Sequence, residues 1–265
     1  MRILSQNFVL HGRRGLKAAG LCSLAWMCGS CAKFPSNRGA GNFTAITFTF
    51  SVAGQINTNA QYIYDVALTA SPQANPLTQF APLPVLNSSN PNGRVAGSPT
   101  HFIEFNSALP NSANPFTLNR FALASEVPNP SDPTNPINLG VWSPTNRGQI
   151  FSFSTPQTGG DPNTLSFTVY TNMLADTDAA ARQLQSLQVN ILSMTRIANQ
   201  GSGSRVIDSL GDSRSVNGLN QFLVVDLRSS RVYNNLAGFE PTGDTFGGTD
   251  PDVDIVNYTI TVTPP

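Results

Sequence analysis

The stretch "FTAITFTFSVAG", residues 43–54, alternates residue by residue: Phe48, Phe50 and Val52 fall on one side, Thr47, Thr49 and Ser51 on the other. A period of two places successive side chains on opposite faces of an extended chain, so this stretch reads as a strand with one face in a core. The same pattern recurs down the sequence. "QYIYDVALTA" (61–70) repeats it with Tyr62, Tyr64, Val66 and Leu68, and "DIVNYTITVT" (254–263) sets Val256, Tyr258, Ile260 and Val262 against Thr259, Thr261 and Thr263. Six further segments read as strands: "THFIEF" (100–105), "TLNRFALAS" (117–125), "GQIFSFS" (148–154), "TLSFTVYTN" (164–172), "SLQVNILSMT" (186–195) and "NQFLVVDLRS" (220–229).

Turn formers separate these segments. Asn-Pro occurs at 75, 90, 114, 129 and 135, Asp-Pro at 132, 161 and 250, and Asn-Gly at 92 and 217. Each fixes a bend through a restricted or left-handed backbone angle. A helix is expected only over "DTDAAARQLQ", 176–185, with Asp176 or Thr177 as its cap. Many short strands, Pro/Gly turns and at most one short helix indicate an all-β antiparallel sandwich, immunoglobulin-like or jelly-roll-like, because a single open sheet of that many strands would leave an apolar face in water. We expect one sandwich domain over residues 43–265, with "PNPSDPTNP" (128–136) a Pro-stiffened loop within it; a linker between two smaller domains is the other reading of that stretch.

Outside this body lies a different kind of sequence. Residues 1–17 carry Arg2, Arg13, Arg14 and Lys17 and no acid, and a short apolar run, "AAGLCSLAWMC" (18–28), follows. A basic region, an apolar region and then small residues describe an export signal over 1–30. The apolar run is shorter than the about 20 residues a membrane-spanning helix needs. All three cysteines, Cys22, Cys28 and Cys31, lie in or beside this segment. "CGSC", residues 28–31, resembles the lipobox of bacterial lipoproteins: Gly29 and Ser30 are the small residues and Cys31 is the invariant thiol, with Cys28 at the place usually held by an aliphatic residue. Cys22 and Cys28 lack the small residue required before the cut. The resemblance implies that Cys31 is lipidated and becomes the first residue of the mature protein, on a tether over 31–42 rich in Gly, Pro and Ser. A plain secretory signal cut near Ala32 is the alternative. "GRRGLKAAG" (12–20) also resembles a twin-arginine export signal through Arg13, Arg14, Leu16 and Lys17; the simpler reading is an ordinary basic region. The body resembles uncharacterised bacterial surface lipoproteins, in which a strand like "QYIYDVALTA" leads through a Pro-rich loop to one like "THFIEF"; this implies no activity.

Charge and inventory narrow the chemistry. Four of the 15 basic residues lie in the first 17 positions and all 15 acids lie beyond residue 60, leaving 11 basic groups against 15 acids, a net charge of −4. A weakly acidic body with scattered arginines argues against nucleic acid as a partner. Beyond Cys31 there is no cysteine, hence no internal disulfide and no thiolate metal site. His101 is the sole histidine after His11. A Ser-His-acid triad would need His101 with Glu104, but both sit in a strand segment and no G-x-S-x-G elbow presents a serine. "GSGSR" (201–205) lacks the lysine and following helix of a phosphate loop and reads as a flexible loop. Glycoside hydrolysis would need two of Glu104, Glu126, Glu240 and the aspartates to converge.

The densest acidic stretch is "EPTGDTFGGTDPDVD", 240–254, with Glu240, Asp244, Asp250, Asp252 and Asp254. Calcium takes six to eight oxygen ligands, and Asp-rich loops with glycine supply them, so these five are the candidate calcium ligands. The simpler reading is a solvated loop whose like charges repel. The sequence as a whole leads to the expectation of a lipid-anchored cell-envelope protein, facing the periplasm or the exterior. It would bind carbohydrate or protein, or act structurally, without catalysis. The aromatics Trp142, Tyr62, Tyr64, Phe151 and Phe153 serve recognition or, more simply, the core. The alternative is a secreted, glycosidase-like hydrolase using strand-end carboxylates.

Overall fold

The computed structural model describes residues 42–57, 62–84, 95–97, 99–105, 115–122, 141–144, 150, 152–196, 204–215, 221–236, 238–246 and 250–265. The chain divides into two units, Met1–Asn37 and Arg38–Pro265, and every described residue belongs to the second. The expected signal, Cys31, most of the expected tether, Glu126 and residues 128–136 lie outside the described residues.

The strands in chain order are β1 (Ala45–Val52), β2 (Tyr62–Ser71), β3 (Leu83–Pro84), β4 (Val95–Ala96), β5 (His101–Phe105), β6 (Phe116–Ala122) and β7 (Val141–Pro144). They continue with β8 (Phe153–Ser154), β9 (Thr164–Tyr170), β10 (Ser186–Arg196), β11 (Ser204–Ser209), β12 (Leu223–Asp226), β13 (Arg231–Asn234) and β14 (Ile255–Thr263). One sheet runs β13-β14-β1-β9-β8; the other runs β11-β10-β2-β5-β6-β7, with β12 also paired to β10. Every pairing is antiparallel. The protein is an all-β sandwich, as the strand periodicity predicts.

In the first sheet the expected alternation is exact along β1 and β9: Ile46, Phe48, Phe50 and Val52, with Leu165, Phe167 and Val169, are buried, and the residues between are half-buried. On the outer face cross-strand hydroxyls pair, Thr47 with Thr168 and Thr49 with Ser166, each at 2.8 Å. The two inner faces meet in one aromatic seam. Phe116 of β6 lies 4.8 Å from Phe167 and 5.7 Å from Phe153, ring centre to ring centre, and Phe105 is 5.3 Å from Phe116. Rings packed at these offsets add to the transfer free energy of their burial.

The second sheet departs from the half-buried expectation. β2 is buried on both faces. Tyr62, Tyr64, Val66 and Leu68 face the main core, whereas Ile63 and Ala67 join Leu192, Met194 and Val206 in a second apolar cluster. The segment after β2 lies across that second face. Thr69 Oγ1 donates to the Phe80 carbonyl at 2.8 Å, Gln188 Nε2 to the Leu77 carbonyl at 3.1 Å and Asn190 Nδ2 to the Pro82 carbonyl at 3.0 Å. Thr69, Gln188 and Asn190 are tolerated in this interior because each donates to a backbone carbonyl.

β10 is the spine of this sheet. One edge pairs with β2 over Ser186–Thr195. Its other edge is shared: β12 pairs with Ser186–Val189 and β11 with Leu192–Arg196. The predicted helix is present as α1 (Asp178–Gln183), capped by Thr177, whose Oγ1 accepts from Ala180 N–H at 3.1 Å. It is the one α-helix among the described residues; short 3-10 turns make up the rest of the helical structure. No described helix is long and apolar enough to cross a membrane.

Candidate functional site

The acidic stretch 240–254 does not stand out into solvent as one loop. Its carboxylates separate into two groups with different surroundings.

Asp250 and Asp252 belong to a 3-10 turn, Pro251–Val253, that precedes β14. Asp250 accepts from the Asp252 N–H and from the Tyr62 hydroxyl. The Asp252 carboxylate accepts from Gln55 N–H at 2.8 Å. These contacts fasten the turn to the β1–β2 region, and the neighbouring carboxylate pushes the Tyr62 hydroxyl up to about 12, with burial adding to it.

Glu240 and Asp244 turn inward instead and meet Asp208, the penultimate residue of β11. One ligand-capable oxygen from each of the three lies within 4.8 Å of the others. Their exposures are 0% for Asp208, 3% for Glu240 and 0% for Asp244, with Asp254 beside them at 4%. The group sits at the sandwich edge, where the β11 end of one sheet reaches the start of β14 in the other.

Local structure explains the convergence. β11 carries a bulge: Ser193 of β10 pairs with Asp208 but Met194 pairs with Val206, leaving Ile207 as the extra residue. A bulge bends its strand and re-aims the side chains beyond it. Asp208 Oδ2 then accepts from Ile255 N–H at 2.6 Å and Oδ1 from Ser209 N–H at 2.8 Å. The paired Ser193 hydroxyl donates to the Val253 carbonyl, so both members of that pair hold the same approach to β14. After β11 the chain turns at Gly211, where φ is 96°, a left-handed conformation suited to glycine. The turn aims two amides at the acids: Gly211 N–H donates to Glu240 Oε2 and Ser213 N–H to Asp244 Oδ2, both at 2.8 Å. Asn235 fixes Glu240 from behind, accepting from its N–H at 2.9 Å and donating to its carbonyl at 3.0 Å. Asp254 takes the Gly243 N–H on both oxygens, at 3.0 and 2.8 Å.

One oxygen of each inward acid is therefore held by the backbone. The others, Glu240 Oε1 and Asp244 Oδ1, have no hydrogen-bond partner. Burial, reinforced by the neighbouring charge of Asp244, pushes the Asp208 carboxyl up to about 8. Burial with the charge of Asp208 takes Glu240 to about 11, and burial takes Asp244 to about 6. Asp254 is raised as well, again mainly by burial. Arg214 lies near enough to feel Asp244 and Asp254, yet its Nε donates to Asp212 at 3.0 Å and its side chain is exposed. Chemically, such a group either retains protons or accepts a hard cation.

Among the described residues the other sequence candidates do not assemble. His101 is buried, with Nδ1 3.0 Å from Thr100 Oγ1, and burial holds it down to about 4. Glu104 stands three residues along the same strand, on the opposite face. Tyr62 and Tyr64 are in the core and Phe153 packs against it; Phe151 and the Trp142 side chain lie outside the described residues. "GSGSR", read as a loop, enters β11 at Ser204. That reading hid Asp208, which lies further along the same strand, beyond the bulge at Ile207.

Comparison with protein-family models, with curated proteins and with solved structures finds no match to this chain.

Proposed function

We propose that this is a lipid-anchored protein of the cell envelope whose β-sandwich is a non-catalytic binding or structural domain. The observation that carries the reading is "CGSC" at 28–31, with small residues before Cys31, a basic amino terminus and no cysteine beyond. Two acyl chains on such a thiol anchor a protein stably, where one gives marginal binding. The site geometry supports the non-catalytic half. The carboxylates that converge are enclosed by backbone and closed to a sugar or peptide, and His101 is buried with Glu104 on the opposite face of its strand. Hydrolysis needs nucleophile, base and an accessible reacting position together.

Anchoring is tested by Cys31→Ser in cells expressing the full chain. The variant should leave the membrane fraction, while Cys22→Ser and Cys28→Ser remain in it. Retention of the Cys31→Ser protein after a high-salt wash would sink the lipobox reading.

A further inference from the structure

We propose that Asp208, Glu240 and Asp244 form a calcium site that locks β11 and the 240–246 segment to the start of β14. Three observations carry it. Three carboxylates are enclosed together, with ligand-capable oxygens within 4.8 Å of one another. Two oxygens about 2.4 Å from one calcium ion are at most about 4.8 Å apart, so the spacing is that of atoms sharing an ion. Inside this group Glu240 Oε1 and Asp244 Oδ1 are buried and accept no hydrogen bond. A buried carboxylate oxygen without a donor is strongly unfavourable unless a cation or a proton meets it.

The amides of Ser209, Ile255, Gly211 and Ser213 add to the case in a different way. They hold the three carboxylates in place, so an arriving ion does not have to order them. The donor set is all oxygen, which selects a hard cation over zinc or copper. Among hard cations it favours calcium, which accepts many protein oxygens in irregular geometry. Magnesium demands a smaller octahedral shell and keeps several waters, for which an enclosed three-acid group leaves little place. Asp254, fastened to the Gly243 amide, adds negative charge beside the group. Asp250 and Asp252 are struts on the neighbouring turn and are not ligands.

The experiment uses the full chain in detergent, stripped with chelator and equilibrated by dialysis with calcium alone, then with magnesium alone. Bound metal is measured by elemental analysis and melting is followed in calcium and in chelator. One calcium per chain is expected, with a higher melting temperature in calcium and little response to magnesium. Glu240→Gln and Asp208→Asn should each weaken calcium binding by about tenfold or more, since ligand charge sets affinity in such sites. Asp252→Asn and Asp212→Asn should bind as the parent does. Should the ligand variants fail to fold, the unaltered chain decides alone. Absence of bound calcium with identical melting in calcium and chelator overturns the site in favour of protonated carboxyls. Magnesium binding as tightly as calcium overturns the assignment of the ion, and loss of binding in Asp252→Asn overturns the assignment of the ligands.

Discussion

Tyr64 and Asp252 meet across 188 residues of chain: the Tyr64 hydroxyl donates to the Asp252 carbonyl at 2.7 Å. The Tyr64 hydroxyl oxygen also accepts from Asn57 N–H at 3.1 Å. Gln55 N–H meanwhile donates to the Asp252 side chain, so this one aspartate is held at both its carbonyl and its carboxylate. The contact joins β2 in one sheet to the turn that leads into β14 of the other. Tyr64→Phe keeps the ring in the core and removes the hydroxyl. It should destabilise by about 1–3 kcal/mol, the range for leaving a buried polar group unpaired. Asp252→Asn should lose well under that, because its side-chain oxygen still accepts from Gln55. Urea unfolding of the two variants checks the order; equal losses would mean that the carboxylate charge, not the latch, matters.

A second prediction concerns Asn190, at the place where β12 ends and β11 begins along the shared edge of β10. Its side chain fills the gap in the ladder. Oδ1 accepts from Leu210 N–H at 3.1 Å, and Nδ2 donates to the carbonyls of Pro82 and Gln221 at 3.0 and 3.1 Å. Asn190 is fully buried. Asn190→Leu keeps the number of side-chain heavy atoms but takes the donor from the Pro82 and Gln221 carbonyls, each worth about 1–3 kcal/mol when buried and unpaired, while Leu210 N–H keeps the Ile191 carbonyl at 3.2 Å. The expected loss is among the largest for any single substitution here, measured as a lowered midpoint in urea with the slope unchanged. A loss below that of Tyr64→Phe would show that the gap closes by itself.

Much of the sandwich was legible because β1, β9 and the Tyr258–Thr263 part of β14 obey one rule, apolar residues every second position with small hydroxyl residues between; at the start of β14 a register shift opposite Val52 turns Ile255 inward and leaves Val256, expected on that face, only half-buried. β2 keeps the inward apolar alternation, but its second face is apolar as well: Ile63 and Ala67 pack with Leu192, Met194 and Val206, while the carbonyls of Leu77, Phe80 and Pro82 bind Gln188, Thr69 and Asn190, which nothing in the side-chain pattern of 72–84 signals. β11 was hidden by the glycines before it, and β13, "RVYN", is too short for a period to register. The acidic site was half legible. Local density pointed to Glu240 and Asp244, whereas Asp208 arrives through a bulge and a strand pairing far away in sequence. Asp250 and Asp252 have the same composition signal, but hydrogen bonds from Tyr62 and Gln55 hold them on the neighbouring turn. Spacing along the chain records which acids are near one another, and only packing decides which of them are left bare.

The last prediction is a pH dependence set by His101. Burial lowers this imidazole from 6.5 to about 4, with the Arg120 charge acting in the same direction and Asp176 opposing. Arg120 lies opposite His101 in the β5–β6 register, and its guanidinium is 3.1 Å from Asp176. The folded protein therefore holds His101 neutral where the unfolded chain would bind a proton. Between about pH 6.5 and 4 the unfolded state carries more protons, so stability falls as pH falls. The contribution is fully present above about 6.5 and is lost progressively down to about 4, where the folded imidazole itself protonates. A shift of this size corresponds to about 3 kcal/mol at its limit. The raised carboxyls of Asp208, Glu240 and Asp244 act in the opposite sense, so the parent's own pH profile mixes the two; the difference between parent and His101→Gln isolates the imidazole. The variant is expected to lose stability less steeply on acidification from pH 7 to 4.5, read from urea midpoints at each pH. Parallel profiles for the two proteins would mean that His101 is protonated in the folded sandwich and that the Thr100 hydroxyl, 3.0 Å from its Nδ1, accepts from it.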